Sequence, residues 1–466
     1  MKLYNTMTKR KEEFVPLEPG VVRMYGCGST VYNFIHIGNA RASVFFDSLR
    51  RYLEFSGCTV LFAQNFTDID DKIIKRANEE GISSAELAEK YIAEYQTDAE
   101  GLNIRPATFR PRATESIGNI IELIQLLIER GHAYEAGGDV YFDVRSYPPY
   151  GKLSGQPLED LEDGARVEAG VQKRSPADFA MWKAAKPGEP SWNSPWGKGR
   201  PGWHIECSAM IRAKLGKTID IHCGGADLIF PHHENEIAQS EAANGVPMAR
   251  YWVHNGFITV NNEKMSKSGG NFFIVRDAAK EYGYEAIKLF LLSAHYRNPL
   301  NYSAESLEQS KAALQRLYTT LDNLTFISQN SDAETLTASE LTVLSGLGKY
   351  REAFIAAMDE DLNTADAIAA VFDLARALNS AAANNPSREF AVQGISKLRE
   401  LTDVLGILYG TSEPQSLDAE IEALIEQRQT ARKEKNFAEA DRIRDELKAR
   451  GIVLEDTPQG IKWKKA

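Results

Sequence analysis

The passage from strand to helix near the N-terminus constrains this chain most. Val21-Val22-Arg23-Met24-Tyr25 reads as a buried strand, and His36-Ile37-Gly38-Asn39 precedes the apolar spacing Val44, Leu49, Leu53 of a helix face. A helix N-terminus offers unpaired N–H groups and a positive dipole end, which suits an anion such as the phosphates of ATP. A second element of the same character lies far downstream. Lys264-Met265-Ser266-Lys267-Ser268, followed by Gly269-Gly270, puts two ammonium groups on a segment whose glycines permit hinge motion, so that it can close on a polyphosphate as charge develops. A lysine-serine run alone is usually a solvated loop, and a His-x-Gly is usually a turn. The two in this order, one on each half of the chain, point to an enzyme that splits ATP.

Four cysteines in 466 residues, at positions 27, 58, 207 and 223, are too few for the disulfide framework of a secreted scaffold, so reduced thiols are expected. Met1-Lys2-Leu3-Tyr4-Asn5 has no apolar signal core, and no apolar run is long enough to span a bilayer; the expectation is a cytoplasmic protein with no membrane partner. With 43% hydrophobic residues the chain can bury a sizeable core and divides into three or more domains. A net charge of -11 disfavours indiscriminate nucleic-acid binding, so an RNA partner must meet a local basic surface.

Cys27 ends the first strand in Tyr25-Gly26-Cys27-Gly28-Ser29-Thr30, nine residues before His36. Cys207 lies in Pro201-Gly202-Trp203-His204-Ile205-Glu206-Cys207, ahead of Gly224-Gly225-Ala226-Asp227 and His232-His233-Glu234-Asn235-Glu236. His232 and Glu236, four apart at the start of a helix through Ile237-Ala238-Gln239, project from one face. Two thiolates, one imidazole and one carboxylate would make a tetrahedral zinc site. A lone cysteine is most often a small buried hydrophobe, and adjacent histidines often cap or pack, but this set flanks the phosphate elements. His233 and Glu234 could each replace a chosen ligand by a one-residue shift. Cys58 and Cys223 read as ordinary packing residues.

The paired phosphate elements resemble the signature of class I aminoacyl-tRNA synthetases, and the cysteine and histidine positions sharpen this to a similarity with the cysteinyl-tRNA synthetases. Thr67-Asp68-Ile69-Asp70-Asp71-Lys72 and Asp178-Phe179-Ala180-Met181-Trp182-Lys183 belong to the same match, which runs through the whole chain. The resemblance implies an α/β fold, with a Rossmann-like parallel-sheet catalytic domain split by an insertion and followed by an α-helical bundle and a small C-terminal domain. It implies a zinc ion on Cys27, Cys207, His232 and Glu236, and Mg2+ accompanying ATP. Lys264 and Lys267 would neutralise the leaving pyrophosphate, and His36 and Gly38 at the helix terminus would meet the α- and β-phosphates. Asn39 stands where many class I enzymes have a second histidine; it can donate a hydrogen bond but carries no charge. Gly224 and Gly225 would let the backbone approach the nucleotide, and Asp227 could accept from ribose hydroxyls. Thr67, Trp203 and His222 are candidates for the wall of a cysteine pocket. The implied partners are ATP, L-cysteine and tRNA(Cys), and the implied state is a monomer.

Energetics favour a metal for this substrate. Shape and apolarity alone would separate cysteine from serine by about 1–3 kcal/mol, roughly 10- to 200-fold. Zinc prefers thiolate and lowers the pKa of a coordinating thiol, whereas a hydroxyl is a far weaker ligand.

The expected organisation is a first catalytic half over 1–115, an insertion over 116–199, a second half over 200–250, a region bearing the lysine motif over 251–303, a helical bundle over 304–408 and a C-terminal domain over 415–466. In the insertion, Ile120, Ile121, Leu123, Ile124 and Leu127 form a helical pattern, and Asp139–Val144 a short strand; by resemblance it helps to hold the acceptor end of tRNA. A helix beginning near Asp277 carries Ile287, Leu289, Phe290 and Leu291. Ile368, Val371, Phe372, Ala375 and Leu378 form one buried helical stripe, and Asn384-Asn385-Pro386-Ser387 a loop, in a bundle that resembles an anticodon-stem domain. Gly410-Thr411-Ser412-Glu413-Pro414 reads as a linker. From Arg428 to the end, eleven basic residues face seven acidic ones. A charged helix over about 418–450 is usually a solvated face; the functional reading is a small tRNA-binding module in which Trp463 stacks on a base. Two rival readings are a ligase coupling activated cysteine to an aminosugar, against which the long tail argues, and a catalytically silent tRNA-binding protein, against which the lysines and the four metal-ligand candidates argue.

Overall fold

The computed structural model describes residues 1–157, 172–260, 263–264, 273–410, 419–457 and 460–465. Two compact units divide it, Met1–Ser310 with Ala357–Ala365, and Lys311–Ala356 with Asp366–Ala466. No helix among the described residues is long and apolar enough to cross a membrane.

The first unit is built on four parallel strands. In chain order they are β1 (Val21–Gly26), β2 (Thr59–Gln64), β3 (Ile219–Gly225) and β4 (Ala249–Asn255), arranged in space as β4-β3-β1-β2. Parallel strands covered on both faces read as continuous apolar runs, and Val22, Met24, Ile219, Ile221 and Val253 are fully buried. Helix α1 (Ile37–Phe55) connects β1 to β2, whereas β3 pairs with the other edge of β1. The connections therefore diverge at the carboxyl end of β1, where open α/β sheets bind ligands. Strand β4 belongs to this sheet through Ile219↔Ala249 to Gly225↔Asn255, so a division between residues 250 and 251 passes through it. Helices α2 (Trp203–Lys214) and α3 (Glu234–Asn244) flank β3 in the chain.

Between β2 and β3, the apolar pattern of Ile120 to Leu127 lies on a helix, Ile117–Glu129, and a five-stranded antiparallel sheet follows. The strand expected over 139–144 stops at Phe142, because the chain turns at Val144–Ser146 around the buried carboxylate of Asp178. That carboxylate accepts from Val144 N at 3.1 Å, Ser175 N at 3.0 Å and Tyr134 Oη at 2.6 Å. The last long strand of this sheet, Gly197–Pro201, runs past residue 199.

The helix expected near Asp277 is two helices, Val275–Tyr282 and Tyr284–Leu292. Gly283 separates them at φ +81°, a conformation open to glycine at no steric cost. In the second unit the stripe on Thr364–Ala382 buries Ile368, Val371, Ala375 and Leu378 as expected. Phe372 instead sits half-buried, with the Arg316 guanidinium 5.1 Å from its ring, and Leu374 takes the core position. The charged segment near the C-terminus is two helices, Ala419–Lys433 and Phe437–Ala449, followed by a hairpin of Ile452–Thr457 with Gly460–Lys465. The break falls where Lys435 adopts φ +62° and Asn436 caps the second helix by accepting from Glu439 N. The linker residues 411–414 lie outside the described residues, as does the side chain of Trp463.

Candidate active site and metal centre

Helix α1 begins with a reciprocal cap. His36 Nδ1 accepts from Asn39 N at 3.2 Å, and Asn39 Oδ1 accepts from His36 N at 3.3 Å. The cap explains why an asparagine serves at this position: its oxygen satisfies a backbone donor of the helix terminus, and its Nδ2 remains a donor for an anion. The exit of the lysine segment runs antiparallel alongside, with Ile37 N donating to Phe273 O at 3.0 Å and Val275 N to Ile35 O at 3.1 Å. Lys264 pairs through its backbone with Thr259 in a small sheet, its side chain being undescribed, and Lys267 lies outside the described residues.

A cavity of about 400 Å³ opens at the carboxyl end of the parallel sheet. Cys27, His36, Gly38, Asn39, Trp203, Gly225 and Asp227 all line it, which brings the start of α1 and one thiol of the candidate metal site into one space. Thr67, His222 and Gly224 are not among its lining residues. Thr67 Oγ1 donates instead to the buried Glu206 at 3.1 Å, and burial raises the Glu206 carboxyl well above the usual range. Gly224 answers a different need, since a Cβ there would lie 2.4 Å from the ring of His233.

The side-chain donors of Cys27, Cys207, His232 and Glu236 lie within 4.8 Å of one another. His232 Nε2 is 2.9 Å from Glu236 Oε1, Cys27 Sγ is 3.6 Å from the same oxygen, and Cys207 Sγ is 3.7 Å from His232 Nε2. Such separations suit the edges of a tetrahedron with metal–sulfur bonds of about 2.3 Å and metal–nitrogen bonds of about 2.0 Å. Cys27 continues off β1, Cys207 stands on α2, and Glu236 lies in the first turn of α3. His232 sits in the turn just before α3 rather than on it, and still falls four residues from Glu236. Cys27, His222, His233 and Glu236 form a second group by the same criterion, sharing two members with the first. Glu234 is committed elsewhere, its carboxylate accepting from Leu153 N at 3.1 Å and Ser154 N at 2.8 Å.

Charge in the cluster is set by its own members against the effect of burial. Burial works against ionisation of Glu236, but His222 and His232 outweigh it and hold the carboxyl down at about 2. Burial likewise opposes a charged His232, yet Glu236 and Cys207 lift its imidazole to about 10. A hydrogen bond from Cys27 draws the Cys207 thiol down to about 6 against the effect of burial. Burial pushes Cys27 up. One thiolate, one carboxylate and one cation thus lie together, the composition from which a divalent metal displaces protons.

Around these donors, sequence reasoning named His222, His233 and Trp203 in other roles and missed Thr6, Trp252 and His254. His222 Nε2 lies 3.0 Å from Glu236 Oε2, and its ring stacks on Trp252 at 4.4 Å. A chain of contacts runs from Thr6 Oγ1 to His254 Nδ1 at 2.8 Å, from His254 Nε2 to His233 Nδ1 at 2.8 Å, and from His233 Nε2 to Cys27 Sγ at 3.3 Å. Trp203 stacks on His232 at 4.2 Å, so the indole that lines the cavity also braces a candidate ligand. Partners of this kind orient metal ligands. The signal in the sequence was the alternation Trp252-Val253-His254, which places two rings on one face of β4.

Residues 13–312 match the family described as tRNA synthetases class I (C) catalytic domain, residues 353–409 the DALR domain, and residues 415–463 the cysteinyl-tRNA ligase anticodon binding domain. The Cysteine--tRNA ligase of Symbiobacterium thermophilum is 57% identical over 469 residues, and that of Clostridioides difficile 57% identical over 465, each match covering 100% of both chains. Among solved structures, methionyl-tRNA synthetase of Mycobacterium tuberculosis in complex with methionyl-adenylate superposes with a TM-score of 0.58 at 16% identity, covering 83% of this chain and 89% of that one. The LeuRS of Agrobacterium radiobacter K84, in its ternary complex, gives 0.61 at 12% identity, covering 84% of each chain. These two share the fold, and the full-length identity carries the assignment: the chain belongs to the cysteine--tRNA ligase family of class I aminoacyl-tRNA synthetases.

Proposed function

We propose that a zinc ion held by Cys27, Cys207, His232 and Glu236 selects the substrate in the family's reaction, the ATP-dependent joining of L-cysteine to tRNA(Cys). When bound, zinc supplies a Lewis acid that favours a thiolate far above a hydroxyl. The observation that carries this reading is the convergence of those four donors beside a cavity that Cys27 and Trp203 share with the start of α1.

In the first step the cysteine carboxylate attacks the α-phosphorus of ATP; the bond to the bridging oxygen breaks, and pyrophosphate leaves with its electron pair. In the second, a ribose hydroxyl of the tRNA attacks the adenylate carbonyl and gives up its proton, the bond from the acyl carbon to the phosphate oxygen breaks, and AMP leaves with that electron pair. Neither step needs a nucleophile from the protein, so the chain's work is alignment and charge neutralisation. In this reading the α1 terminus with His36, Gly38 and the Asn39 amide faces the phosphates, Gly225 and Asp227 face the ribose, and Lys264 and Lys267 meet the departing pyrophosphate, with Mg2+ accompanying ATP. Trp203 packs beside the substrate side chain; Thr67 and His222 act from behind the cavity wall. The helical bundle and C-terminal domain meet the tRNA. The protein works as a cytoplasmic monomer.

The 3.3 Å contact of Cys27 Sγ with His233 Nε2 supports a second donor set, Cys27, His222, His233 and Glu236. Metal analysis and equilibrium binding on Cys207→Ser and His233→Ala decide between the two. Cys207→Ser should lose zinc and at least about tenfold in cysteine affinity, 1.4 kcal/mol or more, while ATP affinity stays within about twofold. Retention of the metal in Cys207→Ser with its loss in His233→Ala assigns the second set, and normal cysteine activation by the metal-free protein removes zinc from substrate selection.

A further inference from the structure

Arg41 follows the phosphate-facing turn of α1 by two residues and is 2% exposed. Its guanidinium meets no carboxylate among the described residues. Nη1 donates to Gly256 O at 3.0 Å and Phe257 O at 2.7 Å, while Nη2 donates to Tyr296 O at 3.2 Å, His295 O at 3.4 Å and Asn298 O. A buried cation answered only by carbonyl dipoles is costly, and here the two Nη atoms carry all of those contacts while Nε has no partner among the described residues. The planar fork of arginine can reach five carbonyls on two segments, which the point charge of lysine cannot. Burial lowers the Arg41 pKa to about 10, so the group keeps its charge at neutral pH.

The location of those carbonyls gives the arrangement its meaning. Gly38, Asn39 and Ala42 line one wall of the cavity, and Gly256, Phe257 and Ile258 line another. Arg41 leaves the first wall and grips the backbone of the second. The second wall is itself pressed against residues 297–298, since a Cβ on Gly256 would lie 2.6 Å from the carbonyl oxygens of Arg297 and Asn298.

We infer that Arg41 is a positioning residue for the nucleotide: by tying the first two turns of α1 to Gly256–Phe257, it sets the width of the cleft that receives ATP. The inference rests on the reading of this cavity as the ATP site, which cysteine-dependent pyrophosphate exchange by the wild-type protein tests separately. In the same exchange assay, Arg41→Lys should raise the KM for ATP about tenfold or more and leave the KM for cysteine and the metal content within about twofold; such a split marks lost nucleotide positioning. An unchanged KM for ATP with a lowered melting temperature would reduce Arg41 to a packing role and overturn the inference, as would equal rises in both KM values. Hydrogen exchange on the wild-type chain with an ATP analogue uncleavable at the α–β bridge keeps the test independent of how the variant folds. Amides of 38–42 and 256–258 should gain protection together, and protection confined to one wall would refute the tie.

Discussion

At the residue scale, one glycine illustrates how tightly the site is built. Gly224 was expected to serve the nucleotide, but the space where its Cβ would stand belongs to the buried ring of His233, 2.4 Å away. His233 in turn touches Cys27 and His254. Gly224→Ala should therefore cost about 1–3 kcal/mol of stability through overpacking and lower zinc occupancy by displacing His233, which a thermal melt coupled to metal analysis would read. Full occupancy at an unchanged midpoint would mean the ring can yield. The candidate metal donors were legible one by one, because cysteine, histidine and glutamate declare their chemistry by type. Which imidazoles orient them was not, since His222, His233 and His254 come together from β3, the turn before α3, and β4.

At the scale of elements, helix α1 is held at its start and along its middle. Its start carries the His36–Asn39 cap, and its middle buries Asp47 and Arg51, paired at 2.7 Å. Lys288, on Tyr284–Leu292, reaches the same carboxylate at 3.1 Å and donates to Asn103 O at 3.0 Å. Burial drives the Lys288 ammonium down to about 8 despite the pull of Asp47. Below pH 8 this lysine is protonated both folded and unfolded. From there to about pH 10.4 the unfolded chain binds the extra proton, so this group's contribution to stability rises with pH. The unfolding midpoint of the wild type relative to Lys288→Met should accordingly shift in the wild type's favour between pH 7.5 and 10, by at most about 3 kcal/mol. A difference flat across that range would mean the amine keeps its ordinary affinity for protons. Periodicity foresaw helices such as Ile37–Phe55, Ile117–Glu129 and Thr364–Ala382 but not their ends. Gly283 and Asn436 break two of them through backbone conformation and side-chain capping, and periodicity does not register either.

At the scale of the whole molecule, the C-terminal segment holds a small core of its own, Ile443, Leu447 and Ile452 with Leu424, Ile425 and Leu454 against them. Removing residues 415–466 should leave cysteine-dependent pyrophosphate exchange within about twofold and lower kcat/KM for tRNA charging about tenfold or more, a loss of some 1.4 kcal/mol in transition-state binding. Equal loss of both activities would assign the segment a folding role instead. Residue type and spacing alone fix the order of the candidate chemistry along the chain: a strand leading to a helix terminus, a lysine motif downstream, and cysteine, histidine and glutamate side chains able to hold a metal. These are local properties of residue type and spacing. Tertiary structure alone decided which residues share a cavity, where Arg41 spends its five hydrogen bonds, and why Gly224 must be glycine. The physical reason is that parallel strands are joined by long crossovers, so β1, β3 and β4 become neighbours across nearly two hundred residues of intervening chain that no local pattern can span.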